Sequence, residues 1–515
     1  MHLDREACYR ALLTRDARFD GQFFTAVRTT GIYCRPICPA RTPKLAHVIF
    51  FPSAAAAQAA GFRPCLRCRP EASPETSAWH GTYGTVSRAL ALIAAGALNE
   101  GDVEGLAGRL GIGARQLRRL FAKHLGASPK AVAGTNRVLF AKRLISDTAL
   151  PMTDIALTAG FGSLRRFNDV FRRLYGRPPS RLRRAGAPET AQPGVLLTLP
   201  FKPPYDWEAL VGFLAARAIP GVELAGADFY ARIISFNGRF GTIVVRPELS
   251  RHRLTALIRF PLIQEMGRID WYVRCVFDLG ADPCLIAAHL SADPEMAARV
   301  RARPGLRVPG AWDGFELGVR AILGQQISVG AATALAGKLV AAYGTKLPAP
   351  ADPTLASLSH AFPSPRRIAE AGDLATTLGM PRARASAIAT LAAATVADPH
   401  LFDPGRGLEA SIARLSALPG IGAWTAQYIA MRALREPDAF PATDIGLLRA
   451  AGGVEGRPTA AGLLARAEAW RPWRAYAALH LWMSDTSTKR ENREKRNEVL
   501  AWAGGIADRD DAARL

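Results

Sequence analysis

The sequence predicts a multidomain chain, mainly α with α+β parts. Three observations carry this: a cysteine-bearing irregular start, long stretches of 3.6-residue apolar periodicity, and one stretch where β-branched alternation intervenes. At 515 residues the chain is long enough for roughly three or four domains of about 150 residues each. With 49% hydrophobic and 21% charged residues it has the balance of a folded protein and not of a disordered one.

Charge divides the chain. Residues 1–190 hold 29 Lys+Arg and 13 Asp+Glu, a net of +16 out of the total +22. The remaining 37 basic and 31 acidic residues leave only +6. Such an imbalance points to a polyanion as partner of the N-terminal third. A membrane-spanning role is not expected, because the Ala-rich stretch near 318–343 is interrupted by Arg320, Gln325, Gln326 and Lys338. MHLDREACYR has no apolar signal region, and the seven cysteines do not form a secreted disulfide framework, so a cytoplasmic location is expected.

Residues 1–76 are expected to form a small metal-binding domain. Cys34-x3-Cys38 and Cys65-x2-Cys68 are two close pairs, and four thiolates suit one tetrahedral Zn²⁺. FFTAVRTTGIYCRPICPAR and AAGFRPCLRCRP closely resemble the N-terminal domain of the Ada adaptive-response regulators. The resemblance implies that Cys34 accepts a methyl group from a methylated DNA phosphate, with Cys38, Cys65 and Cys68 as fellow zinc ligands. It also places Thr30, Arg41, Arg63 and Arg67 towards the phosphate backbone. Four thiolates and one Zn²⁺ sum to −2, which repels DNA; methylating one leaves −1, so damage would be reported as stronger DNA binding. A purely structural zinc is the alternative.

Residues 80–185 read as two helix-turn-helix units. Asp102 is expected to cap a helix burying Val103, Leu106, Ala107 and Leu110; Gly111-Ile112-Gly113 turns the chain, and Arg115, Arg118 and Arg119 decorate the next helix. The pattern recurs with Thr153 as cap, Gly160-Phe161-Gly162 as turn, and Ser163 before a helix carrying Arg165 and Arg166. DIALTAGFGSLRRFNDVFRRLYGRPPSRLRR resembles the second unit of AraC-type activators, whose helices enter the major groove. Pro188 and Pro193 mark 186–198 as a linker.

Residues 199–308 mix strand-like ADFYARIISF and GTIVVRPEL with helical WEALVGFLAARA, whereas 309–505 are mostly helical. LPGIG, followed by AWTAQYIAMRAL, fits a helix-hairpin-helix in which Gly420 and Gly422 let backbone N–H groups approach a phosphate. Asp444 stands 24 residues beyond Gly420, at a helix entrance where a simple capping role is the competing reading. The combination resembles helix-hairpin-helix DNA glycosylases, and 200–485 resemble the AlkA-type 3-methyladenine DNA glycosylases with their mixed α/β N-terminal domain. The resemblance implies a catalytic Asp444, a base pocket of Trp424, Tyr428, Trp482 and Phe213, and DNA contacts at Gln326 (the wedge), Gly420, Gly422 and Thr425. Lyase-type relatives carry a lysine where Trp424 stands, so a monofunctional hydrolase is implied. No cysteine follows Cys284, so an iron–sulfur cluster is not expected, nor is a nucleotide cofactor.

The combined expectation is an alkylation-repair glycosylase fused to a damage-sensing transcription regulator. The alternative is an activator whose glycosylase portion only binds DNA. No Pro-Cys-His-Arg occurs, so the O6-methylguanine methyltransferase domain of full-length Ada regulators is missing. Damaged and promoter double-stranded DNA are the expected partners, with RNA polymerase as a further one, no membrane, and a monomeric state.

Overall fold

The computed structural model describes residues 4–72, 84–99, 101–183, 194–403, 405, 407–452 and 456–484. The charged run STKRENREKRNEVL lies outside the described residues apart from its surroundings before 485.

The N-terminal domain begins with α1 (Arg5–Thr14), capped by Asp4, and a four-stranded sheet. Its strands β1 (Phe24–Val27), β2 (Ile32–Cys34), β3 (Val48–Phe51) and β4 (Arg63–Pro64) lie in the order β3-β1-β2-β4. Helix α2 (Ala54–Ala59) packs against this sheet, its alanines buried with Phe24, Ala26 and Tyr33. Strand β2 thus delivers Cys34, and β4 leads directly into Cys65.

Six helices follow: α3 (Gly84–Ala94), α4 (Val103–Arg109), α5 (Ala114–Leu125), α6 (Pro129–Asp147), α7 (Met152–Thr158) and α8 (Leu164–Tyr175). Asp102 and Ser163 cap α4 and α8 as expected, each accepting from a backbone N–H in the first turn. The expected Thr153 cap is not made: α7 starts at Met152, two residues earlier than that cap requires, with Pro151 at the cap position and no side-chain bond. Pro151 presets the helical entry by its fixed φ, so the threonine lies inside the helix.

A five-stranded antiparallel sheet comes next, in the order β5-β9-β8-β7-β6. Its strands are β5 (Val195–Pro200), β6 (Glu223–Gly226), β7 (Phe229–Phe236), β8 (Arg239–Glu248) and β9 (Arg253–Arg259), with α9 (Trp207–Ala215) between β5 and β6. The expected linker 186–198 is therefore too long: from Val195 the chain already pairs with β9. Leu197 and Leu199 alternate into the core, which holds this segment in the sheet despite the prolines around it. Strand β7 is buried on both faces, because Leu355, Leu358 and Ala361 cover its outer side.

The rest is helical: α10 (Met266–Val276), α11 (Pro283–Leu290), α12 (Pro294–Ala302), α13 (Gly314–Leu323) and α14 (Val329–Tyr343), then a minimal hairpin of β10 (Thr345–Lys346) and β11 (His360–Ala361). Helices α15 (Pro365–Ala369), α16 (Leu374–Leu378), α17 (Arg382–Ala397), α18 (Leu408–Ser416), α19 (Ala423–Arg432), α20 (Ile445–Ala450) and α21 (Ala460–Ala467) complete it, followed by helical residues 474–484.

The second helix-turn-helix unit does not stand apart. Val138, Leu144, Ile155, Phe161, Phe167 and Phe171 belong to one continuous buried cluster with Leu197, Leu199, Val245 and Ile258 of the sheet. At this junction α6 points Arg143 into glycosylase-side α10, where Asp270 receives Arg143 at 2.6 Å and Arg274 at 3.0 Å. Burial alone would push the Asp270 carboxyl up, but the two guanidinium groups outweigh it and hold it below the usual carboxylate range. The neighbouring Lys142 reaches the other way, to Glu71 at 2.7 Å and the Cys65 carbonyl at 3.3 Å. One helix therefore ties the cysteine domain and the sheet domain together. Arg109 donates to Asp403 at 2.9 Å, which links the first unit to the C-terminal helices.

Candidate functional sites

The four cysteine sulfurs all lie within 4.8 Å of one another. A tetrahedral Zn²⁺ with Zn–S of about 2.3 Å needs sulfurs about 3.8 Å apart, so the donor set fits one zinc ion. The four are not equivalent. Cys38, Cys65 and Cys68 are buried, whereas Cys34 is partly exposed. Backbone N–H groups of Arg35 and Arg67 donate to Cys68 (3.3 Å) and Cys65 (3.4 Å), and that of Ala40 faces Cys38. Among the described residues no backbone N–H reaches Cys34. Hydrogen bonds to a thiolate withdraw charge from it, so the four sulfurs stand in unlike surroundings. The Arg35 guanidinium is paired with Asp20 and also donates to the Cys68 carbonyl at 3.2 Å.

Thr30, Arg41 and Arg67 are exposed on this face, and Arg63 is half-buried. On the helix-turn-helix units Arg115, Arg118, Arg165 and Arg166 are all exposed, Arg118 with a bond to Glu104 at 2.5 Å. Arg115, Arg165 and Arg166 thus present exposed guanidinium groups, whereas that of Arg118 is engaged by Glu104.

The second site lies at the start of α19 and α20. The turn after α18 places Gly420 at φ +86°, a conformation that favours glycine, and a Cβ there would sit 2.3 Å from the Ala387 Cβ on α17. Gly422 then caps α19, whose first-turn N–H groups point outward at the exposed hairpin tip. Two residues into α19, the Trp424 indole N–H donates to Asp444 Oδ2 at 2.8 Å. The Trp482 indole N–H donates to Asp444 Oδ1 at 2.9 Å, and so does the Leu447 backbone N–H at 2.9 Å. Asp444 is thus both the cap of α20 and the centre of an indole cradle. The cap bond uses Oδ1 alone, and the carboxylate is only partly buried.

Trp424 stacks on Tyr428 with centroids 5.2 Å apart and planes 9° apart; Trp482 meets Tyr428 edge-on at 6.4 Å. Phe213 is buried, and its faces carry Arg217 (3.7 Å from the ring centroid) and Arg432 (4.9 Å). Arg432 also lies over the Tyr428 ring and donates to the Tyr428 hydroxyl at 2.8 Å, so one guanidinium joins Phe213 to the Trp424–Tyr428 stack. Burial would push the Tyr428 phenol up, but Arg432 and Arg217 outweigh it and hold it below the ordinary tyrosine value. Trp424 and Trp482 are the rings bonded to Asp444.

Gln326 is exposed at φ +59°, at the tip of the loop before α14. Thr425 departs from the expected DNA-facing role: it is buried, and its hydroxyl accepts from Gln325 Nε2 at 3.1 Å. The first turn of α19 packs under the Gln326 loop, so the threonine side chain points inward. Spacing alone does not reveal Gln325, which bonds Thr425, or Arg217 and Arg432, which meet Phe213.

The chain matches four family models: the metal binding domain of Ada over 7–71, a helix-turn-helix domain over 106–185, the AlkA N-terminal domain over 196–313, and the HhH-GPD superfamily base excision DNA repair protein over 319–475. It is 42% identical over 487 residues to a "Probable bifunctional transcriptional activator/DNA repair enzyme AlkA" of Mycobacterium tuberculosis, covering 94% of this chain and 97% of that relative. It is 36% identical over 291 residues to "DNA-3-methyladenine glycosylase 2" of Escherichia coli, 56% of this chain and 98% of the relative. Among solved structures, a 3-methyladenine DNA-glycosylase from Archaeoglobus fulgidus shares the fold over 56% of this chain and 98% of its own, with TM-score 0.50 and 23% identity.

Proposed function

The chain belongs to the family of AlkA bifunctional transcriptional activators and DNA repair enzymes, and from that premise we propose how its residues divide the work. It is a DNA-3-methyladenine glycosylase joined to an Ada-type regulator that binds DNA. The observation that carries the glycosylase assignment is the Asp444 carboxylate held by two indole N–H groups beside the Trp424–Tyr428 ring stack.

An alkylated base leaves the stack and enters beside Trp424 and Trp482, whose ring faces favour its positive charge. Such a base is a good leaving group and needs little acid assistance. As the N-glycosidic bond breaks, positive charge develops on the sugar, and the fixed Asp444 carboxylate stabilises it. The same carboxylate orients the attacking water and receives its proton. The hairpin N–H groups at Gly422 and beyond hold the backbone phosphate. Gln326 fills the space that the base leaves. Bases of the 3-methyladenine and 7-methylguanine type are the substrates.

In the regulator, Cys34, Cys38, Cys65 and Cys68 hold one Zn²⁺, which supplies deprotonation of the thiols at neutral pH. Cys34 Sγ attacks the methyl carbon of a methylphosphotriester: the S–C bond forms as the C–O bond breaks, and the phosphodiester anion leaves. The exposed arginines of α5 and α8 then grip promoter DNA, and RNA polymerase is the partner this activation serves. The protein acts as a cytoplasmic monomer. Among the described residues no helix is long and apolar enough to cross a membrane.

Asp444→Asn tests the first assignment: 3-methyladenine excision is lost while DNA binding stays measurable, and retained excision refutes it. Mass spectrometry after exposure to methylphosphotriester DNA tests the second; one added methyl must map to Cys34.

A further inference from the structure

Gln325 precedes the exposed Gln326 and is anchored on three sides. Its side-chain Nε2 donates to the Gly420 carbonyl at 3.0 Å and to the Thr425 hydroxyl at 3.1 Å. Its own carbonyl accepts from Arg384 Nη2 on α17 at 2.7 Å. Its backbone N–H donates to Ile322, closing the end of α13. On the far side, Ser328 caps α14 by accepting from Ala331. Only Gln326 and Ile327 lie between these fixed points, and both are exposed.

Gln326 is a non-glycine residue at φ +59°. A side chain in this left-handed region is strained, and such strain persists only where the surroundings over-determine it. Here the surroundings are the Gln325 amide, the Arg384 guanidinium and the Ser328 cap. The same α17 that carries Arg384 also carries Ala387, which lies against Gly420. The hairpin turn, the loop tip and α17 therefore meet in one small junction, and the side chain of Gln325 spans it.

We propose that Gln325 and Arg384 are positioning residues that lock the Gln326 wedge to the hairpin, so that gripping the phosphate and opening the base stack are one movement. The proposal rests on the glycosylase reading above. A wedge on a loose loop would bend away when pressed into a stacked duplex; one anchored to the phosphate-gripping turn transmits the force of binding to the base pair. The linkage is needed only while the base is being extruded. Once the base is out, Asp444 and the indoles act without it.

The test uses the full chain and two DNA substrates with a single 7-methylguanine: one fully paired, and one with the lesion opposite an abasic analogue, where pairing no longer holds the base. Single-turnover excision is measured for Gln325→Glu, which keeps the shape but replaces the donor facing the Gly420 carbonyl, and for Arg384→Ala and Arg384→Lys. Excision from the paired substrate should fall about 10- to 100-fold in Gln325→Glu and Arg384→Ala, in line with losing a hydrogen bond that orders a flipping step. Excision from the unpaired substrate should stay within about threefold, and Arg384→Lys should recover most of the loss. Equal losses on both substrates, or none on the paired one, overturn the linkage. Melting temperatures near wild type show that the variants fold. If the wild-type chain excises neither lesion, the glycosylase reading fails and not the linkage.

Discussion

Trp482→Phe removes the indole N–H together with part of the ring that packs against the core. The indole donates to Asp444 Oδ1 at 2.9 Å, in parallel with Trp424 on Oδ2 at 2.8 Å and the Leu447 N–H on Oδ1 at 2.9 Å. Three donors therefore orient a carboxylate that lies half-exposed at the end of α20. A hydrogen bond to a charged group contributes about 1.5–3 kcal/mol. If that orientation is used in the transition state, its loss lowers kcat roughly 10- to 100-fold. The phenyl ring still meets Tyr428 edge-on, so base affinity is largely kept and KM should change by less than about threefold. The assay is multiple- and single-turnover excision of 7-methylguanine from duplex DNA. Adding Trp482→Phe to Asp444→Asn should cost almost nothing further, because the bond then holds a group that no longer works. The reasoning is refuted if kcat stays within twofold of wild type, if the loss appears in KM, or if the two substitutions add fully.

Three other perturbations follow from the geometry. Asp270→Asn removes the buried carboxylate that faces Arg143 at 2.6 Å and Arg274 at 3.0 Å and should destabilise the chain by about 3–5 kcal/mol in urea unfolding, with the regulator and the sheet domain melting together. Gly420→Ala forces a Cβ to 2.3 Å from Ala387 Cβ at a positive φ, costing about 2–4 kcal/mol, whereas Gly422→Ala meets open space and should cost below about 1 kcal/mol. Burial, with Arg299 nearby, pushes the His480 imidazole down from 6.5 to about 4. The unfolded chain therefore binds the extra proton first, and stability is full above about pH 6.5 and falls by on the order of 3 kcal/mol by pH 4. Denaturant titrations across that window, with His480→Gln as the flattened control, read this slope.

Local patterns were the legible part of this protein. The cysteine spacing named all four ligands, since metal geometry acts over a few ångströms and leaves its mark in short intervals. LPGIG and Asp444 were readable for a similar reason: a turn that needs positive φ and a helix that needs a cap are local demands. What escaped depends on packing between distant segments. Gln325 meets Gly420 across 95 positions, and Arg143 meets Asp270 across more than a hundred. No period or composition encodes such meetings. The guanidinium groups around Phe213 escaped for the same reason, since only the fold brings Arg217 and Arg432 onto its faces. The start of β5 at Val195 was hidden because proline-rich flanks resemble a linker until β9 supplies a pairing partner.

The cluster that α6, α7 and α8 share with the sheet also fixes an angle. Since α7 and α8 share one apolar mass with the five-stranded sheet, turning those helices turns the sheet. If the helix-turn-helix grips DNA as proposed, the sheet domain stands at one fixed rotation about the double helix. The positions it faces beside that grip would then recur once per helical repeat, about every 10.5 base pairs.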